Sequence, residues 1–208
     1  MTRHVERPKL IIVAGPNGSG KSTLFQDTIV QALGRTVWII NPDLLAARIR
    51  TAESLGPRAA NLEAVRRIEK WLLASIDAHQ TIGVETVLST PKYRKLVHAA
   101  KQKQFEVVLV YVMLNSGCLN IARVKLRVQK GGHDVPVQKI LHRRVRSLAQ
   151  LPWFLEQADT AWLYDNSGAK PRLMGAKEGT TLRLEPDALP EIVDVIGRLR
   201  KESERLKK

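Results

Sequence analysis

The 208 residues carry 34 Lys and Arg against 20 Asp and Glu, a formal net charge of +14, and 44% of them are hydrophobic. That length suits one well-packed core rather than two, so a single domain over residues 1–208 is expected. No apolar run approaches the roughly 20 residues needed to cross a bilayer, Met1–Lys9 reads as neither signal peptide nor anchor, and the lone Cys118 precludes an internal disulfide, so no membrane partner and a cytoplasmic location are expected.

The first element is an apolar strand, Leu10–Ala14, running into Gly15-Pro16-Asn17-Gly18-Ser19-Gly20-Lys21-Ser22 and then into helix at Thr23. This is the G-x-x-x-x-G-K-S phosphate loop. Its glycines let backbone N–H groups curl around a β-phosphate, the helix that follows presents its positive end, Lys21 reaches the β/γ-phosphates and Ser22 can hold Mg²⁺. ATP and Mg²⁺ are therefore the expected cofactors, with residues 15–23 as their binding segment. The loop leaves open where the γ-phosphate goes.

Further strands are expected at Thr36–Ile40, Thr81–Val87, Glu106–Leu114 and Thr160–Tyr164, with helices at Lys21–Leu33, Asp43–Arg50, Arg58–His79 and Pro91–Gln104 between them. Alternation of this kind implies an α/β three-layer sandwich: a mostly parallel central sheet with helices on both faces. Pro171–Leu184 reads as a hairpin turning near Gly179, and Asp187–Lys208 as a closing amphipathic helix. Trp153-Phe154-Leu155 and Trp162 suit either core or interface.

Ligands of open α/β sheets sit at the carboxyl ends of the strands. The loop occupies the first such end, Asn41-Pro42-Asp43 the second, Glu85-Thr86 the third and Asn115-Ser116-Gly117 the fourth. The fourth strand ends without an acid, which argues against a transporter-type ATPase. Asp43 and Glu85 instead fall on neighbouring strand ends. One carboxylate can take the proton of an attacking hydroxyl while the other orients that hydroxyl or supports Mg²⁺. A helix N-cap for Asp43 and an ion pair for Glu85 are the bland alternatives.

Between Gly117 and Ser147 stand eight Lys or Arg against one acid, Asp134. Arg123 and Arg127, four apart, share one helix face from which both can reach a polyphosphate. Gly131-Gly132 permits a hinge, and Lys139, Arg143, Arg144 and Arg146 continue the positive surface on a second helix. Residues 117–147 thus form a candidate arginine-rich lid that closes over ATP, with a solvated basic hairpin as the alternative. His133 reads equally as a contact to substrate or as a turn residue.

The ordered set of residues 15–23, Asn41-Pro42-Asp43, Val84-Glu85-Thr86, Arg123-Val124 with Gly-Gly-His-Asp-Val-Pro at 131–136, and Tyr164-Asp165-Asn166-Ser167 resembles the compact bacterial branch of the zeta toxin family, over roughly Lys9–Ser167. The resemblance implies a P-loop kinase-like fold and transfer of the ATP γ-phosphate to a hydroxyl of a nucleotide sugar such as UDP-N-acetylglucosamine. It implies that Asp43 is the general base, that Glu85 and Thr86 hold the substrate, and that Lys21 and Arg123 bind the transferring phosphate. A second phosphate arginine maps to Arg127 or Arg143, Ser22 to the Mg²⁺ ligand, and an antitoxin protein is an implied partner. A kinase of nucleic-acid ends, drawn by the +14 charge, and a non-catalytic ATP-gated binding protein are the competing readings.

Overall fold

The computed structural model describes residues 7–24 and 39–205, without the side chains of Asp43 and of residues 200–205. Seven strands make one sheet: β1 (Lys9–Ala14), β2 (Ile39–Ile40), β3 (Ile82–Thr86), β4 (Glu106–Met113), β5 (Thr160–Asp165), β6 (Arg172–Glu178) and β7 (Thr181–Leu184). Their spatial order is β2-β3-β1-β4-β5-β6-β7. The first five are mutually parallel, and β6 and β7 add antiparallel to the β5 edge.

The helices are α1 (Lys21–Leu24), α2 (Pro42–Ala52), α3 (Pro57–Asp77), α4 (Arg94–Gln102), α5 (Gly117–Gln129), α6 (Val137–Gln157) and α7 (Pro190–Arg205). Helix expected over 25–33, strand over 36–38 and helix over 206–208 lie outside the described residues. The helix expected from Pro91 to Gln104 is broken: Pro91–Tyr93 is a 3₁₀ turn, α4 starts at Arg94, and Gln104 turns out at φ 61°.

Alternation along β1 distributes the core. Leu10, Ile12 and Ala14 join Leu72, Ile76, Val97, Phe154 and Ile196 on one face, while Ile11 and Val13 join Leu24, Val108, Val110 and Val112 on the other. A strand buried on both faces reads as a continuous apolar run, which is why residues 10–14 are legible as the sheet centre. The second helix of the expected lid outruns residue 147. α6 continues through Pro152 to Gln157 and drives Phe154 and Leu155 into the core, so that tripeptide is core rather than interface. Trp162 is half-buried against the second cluster.

Tyr111, at the middle of β4, is fully buried and shares a 3.0 Å hydrogen bond with Ser147 of α6. Burial pushes its hydroxyl well above the ordinary tyrosine range, and Tyr93 shifts the same way for the same reason. A group whose folded pKa is raised stabilises the fold fully below its unfolded value and loses that contribution as pH rises toward the folded one. The urea midpoint should therefore fall as pH passes about 10. Tyr111→Phe should give a lower but flatter alkaline limb; an unchanged slope would refute the assignment.

Candidate active site

The phosphate loop is built where three parts of the chain crowd the end of β1. Gly15 takes φ +143°, and a Cβ there would stand 1.9 Å from the Val112 carbonyl oxygen. Gly20, at φ +85°, would drive a Cβ to 2.2 Å from the Asn166 amide nitrogen. Only glycine fits either position. Gly15 N–H donates to Thr86 O at 3.2 Å and Ser19 N–H to Pro16 O at 3.3 Å, so the loop is tied to β3 and closed on itself. Lys21 is 6% exposed and its Nζ donates to Pro16 O at 3.0 Å. Ser19 is fully buried, and its hydroxyl lies in the loop with no hydrogen-bond partner among the described residues. A buried polar atom left this way, in a cradle a Cβ would fill, suits an anionic ligand. Thr23, in α1, is exposed.

Two asparagines hold the loop from outside. Asn120 of α5, fully buried, donates to Asn17 O at 2.7 Å, and Asn166, just past β5, donates to Ser19 O at 2.9 Å. The signal for Asn120 was its place one turn before buried Val124 on the inner face of α5.

On the β3 side, register pairs Val13 with Glu85 and Ala14 with Thr86, which delivers both residues to the loop. Glu85 Oε2 accepts from Ser22 Oγ at 2.8 Å and from Asn41 Nδ2 at 3.0 Å. It makes no ion pair among the described residues. Thr86 stands at the corner, where its Oγ1 accepts from Leu88 N–H at 3.0 Å and Leu88 turns to φ 57°. The cap of α2 is Asn41, whose Oδ1 accepts from Leu44 N–H at 3.3 Å. The cap considered for Asp43 thus falls two residues earlier. Asp43 is the second residue of α2, beside the strand end that carries Glu85, and its side chain lies outside the described residues.

Adjacent arginines have separate surroundings. Arg123 brings a guanidinium nitrogen to 3.8 Å from where a Gly20 Cβ would stand, and it makes no hydrogen bond or ion pair among the described residues. Arg143 Nη1 donates to Asn17 Oδ1 at 3.4 Å, so α6 also touches the loop. Arg127 turns away, donating to His133 O at 2.6 Å across the hairpin joining α5 to α6. Arg144, expected on the positive surface, is only 6% exposed. Its Nη1 donates to Leu114 O at 2.8 Å and Asn120 Oδ1 at 3.2 Å, and its Nη2 pairs with Glu191 of α7. Lys139 and Arg146 remain exposed.

A parallel β2-β3-β1-β4-β5 array, a glycine loop and α1 at its centre, and an arginine-bearing helical pair over the same edge define a P-loop kinase-like α/β fold. More narrowly, the chain belongs to the AAA_33 family of AAA domains, whose model matches residues 10–152. It is 33% identical over 141 residues to an uncharacterized protein of Haemophilus influenzae, an alignment covering 67% of this chain and 94% of that one. Among solved structures it is similar to the AvrRxo1-ORF1:-ORF2 complex with ATP, at TM-score 0.68 and 15% identity over 93% of this chain. This chain spans 63% of the length of that one. It is also similar to a structure from the PezAT chromosomal toxin-antitoxin system of Streptococcus pneumoniae, at TM-score 0.60 and 16% identity, covering 98% of this chain and 88% of that one. Among the described residues no helix is long and apolar enough to cross a membrane.

Proposed function

We propose that the chain is an ATP-dependent kinase that transfers the γ-phosphate to a hydroxyl of a small molecule, in the manner of the zeta toxins. A nucleotide sugar such as UDP-N-acetylglucosamine is the acceptor. The observation that carries this reading is the hydrogen-bond chain from Ser22 through Glu85 to Asn41. It links the loop that holds the donor to the first turn of α2, where Asp43 supplies a base. Likeness in fold to a complex crystallised with ATP and to a toxin-antitoxin system supports the choice, and with the latter an antitoxin as protein partner.

Geometry around the loop supports a division of roles. Residues 15–23 would bind the phosphates, and Lys21, held at the loop by Pro16 O, would reach the transferring group. Ser22 Oγ and the Glu85 carboxylate are hard oxygen donors within 2.8 Å of each other, a set that suits Mg²⁺ through Ser22. Mg²⁺, when bound, neutralises charge on the β- and γ-oxygens. Asp43 takes the hydroxyl proton as the acceptor oxygen bonds to phosphorus and the bond to the β-phosphate oxygen breaks, releasing ADP. Glu85 and Thr86 flank the acceptor. Arg123, beside Gly20 with no partner among the described residues, and Arg143, on Asn17, stabilise charge developing on the phosphoryl group, while Arg127 orders the lid hairpin.

Incubation with γ-labelled ATP and separate UDP-sugars, with a 5′-hydroxyl oligonucleotide as comparison, should place label on a sugar nucleotide. Label only on water rejects a kinase. Label on the oligonucleotide, with binding that falls steeply with salt, replaces this acceptor with a nucleic-acid end.

A further inference from the structure

A cavity of about 350 Å³ opens between the α2–α3 pair and the hairpin that joins α5 to α6. Ala46 and Ala60 are small enough for α2 and α3 to pack closely at its floor. Above them Arg50 and Asn61 face the cavity from the two helices, and His133 and Asp134 face it from the hairpin. None of these four side chains makes a hydrogen bond or ion pair with a described residue; His133 is engaged only through its carbonyl. The hairpin itself is fixed, by Arg127 on that carbonyl and by Gly132 N–H on Arg127 O at 2.9 Å. The volume is that of a small-ligand pocket, and its polar groups converge without serving the fold.

Its position relates it to the phosphate loop. Positions 43, 46, 47 and 50 follow helical spacing along one face of α2, so Asp43 and Arg50 mark two ends of one wall. Seven residues at 1.5 Å each separate them by about 10 Å. On α5, Arg123 beside Gly20 and Gly131 beyond the helix end are separated by about 12 Å on the same reckoning. Arg50, at the cavity's far wall, thus stands about 10 Å along α2 from Asp43, on the β2–β3 side. Asn166 holds the loop from the opposite, β5 side.

We propose that this cavity recognises the non-reacting end of the acceptor, and that Arg50 there binds an anionic group, phosphate or carboxylate. Asn61 and His133 complete the hydrogen bonds to that group, and Asp134 accepts from a hydroxyl or amide N–H of the same molecule. The acceptor is accordingly an elongated anion whose charge lies about 10 Å from the hydroxyl that is phosphorylated. Its relation to a reacting hydroxyl rests on the kinase reading above; the anion site does not.

The test uses the full chain with its phosphate loop saturated by Mg²⁺ and a non-hydrolysable ATP analogue. Inorganic phosphate, succinate and glucose are titrated separately at constant ionic strength, and the His133 imidazole protons, assigned with His133→Gln, are followed by NMR. A saturable shift is expected with an anion and none with glucose; phosphate or succinate binding more tightly identifies the anion class. Arg50→Ala should weaken it about tenfold or more, and Arg50→Lys should restore part of the affinity. No saturable shift with either anion, or equal affinity in Arg50→Ala, overturns the site. Because the readout is binding, failed label transfer alongside an Arg50-dependent shift removes the kinase reading and leaves the pocket.

Discussion

Asp43→Asn is expected to lower kcat for phosphate transfer by about 10²–10⁴-fold while leaving ATP affinity nearly unchanged. Two carboxylates stand at the β2–β3 edge, and they differ in how far the fold already engages them. Glu85 already accepts two hydrogen bonds on one oxygen, from Ser22 and from Asn41, which hold it to α1 and to the cap of α2. Its place beside Ser22 suits a positioning group for the loop and, on the proposed kinase reading, for Mg²⁺. Asp43 stands two residues after that cap, in the first turn of α2, on the helix face that continues to the cavity at Arg50. The two acids should therefore fail differently. Asp43→Asn should depress kcat at every Mg²⁺ concentration, whereas Glu85→Gln should raise the Mg²⁺ concentration needed for half-maximal rate and lose less at saturation. Steady-state rates over a Mg²⁺ series separate them. An Asp43→Asn enzyme within threefold of the parent kcat would remove the base assignment.

The parts legible in the sequence are those whose local chemistry leaves little choice. The glycines, lysine and serine of residues 15–22 specify a phosphate loop, and the doubly buried β1 reads as a central parallel strand from its apolar run. Asp43 and Glu85 were expected on neighbouring strand ends, and β2 does pair with β3. What stayed hidden depended on how helices roll against the sheet. Arg143 and Arg144 are consecutive, so they point about 100° apart on α6. The chain pattern marks both as surface cations; the packing of α6 on β4 sends one to Asn17 and the other into the interior. Arg123 and Arg127 share a face in sequence, yet the hairpin closes on Arg127 and leaves Arg123 at Gly20. Asn120 belongs to no motif, and Asn166 sits in the Tyr164–Ser167 segment with no role assigned to it from sequence. Their meaning comes from loop carbonyls more than a hundred residues away in the chain.

Arg144→Ala is expected to destabilise the fold by about 3 kcal/mol and to weaken ATP binding as well. The guanidinium is nearly inaccessible, and its donors satisfy Leu114 O at the end of β4 and Asn120 Oδ1 on α5. Truncation leaves both acceptors without that donor in a region closed to water. Its other partner, Glu191, has a side chain 44% exposed, so this carboxylate regains solvent when the arginine is lost. Glu191→Gln should consequently cost well under half as much, since a solvent-reachable pair contributes at most about 1 kcal/mol. The second effect travels by contact. Arg144 orients the Asn120 amide, that amide donates to Asn17 O, and Asn17 lies within the phosphate loop. Urea melts give the stability difference, and titration with an ATP analogue below the denaturing range gives the affinity. If Arg144→Ala lost stability with unchanged nucleotide affinity, the arginine would be a strut for α6 alone; a joint loss makes the Arg144–Asn120–Asn17 chain the link between core packing and the phosphate site.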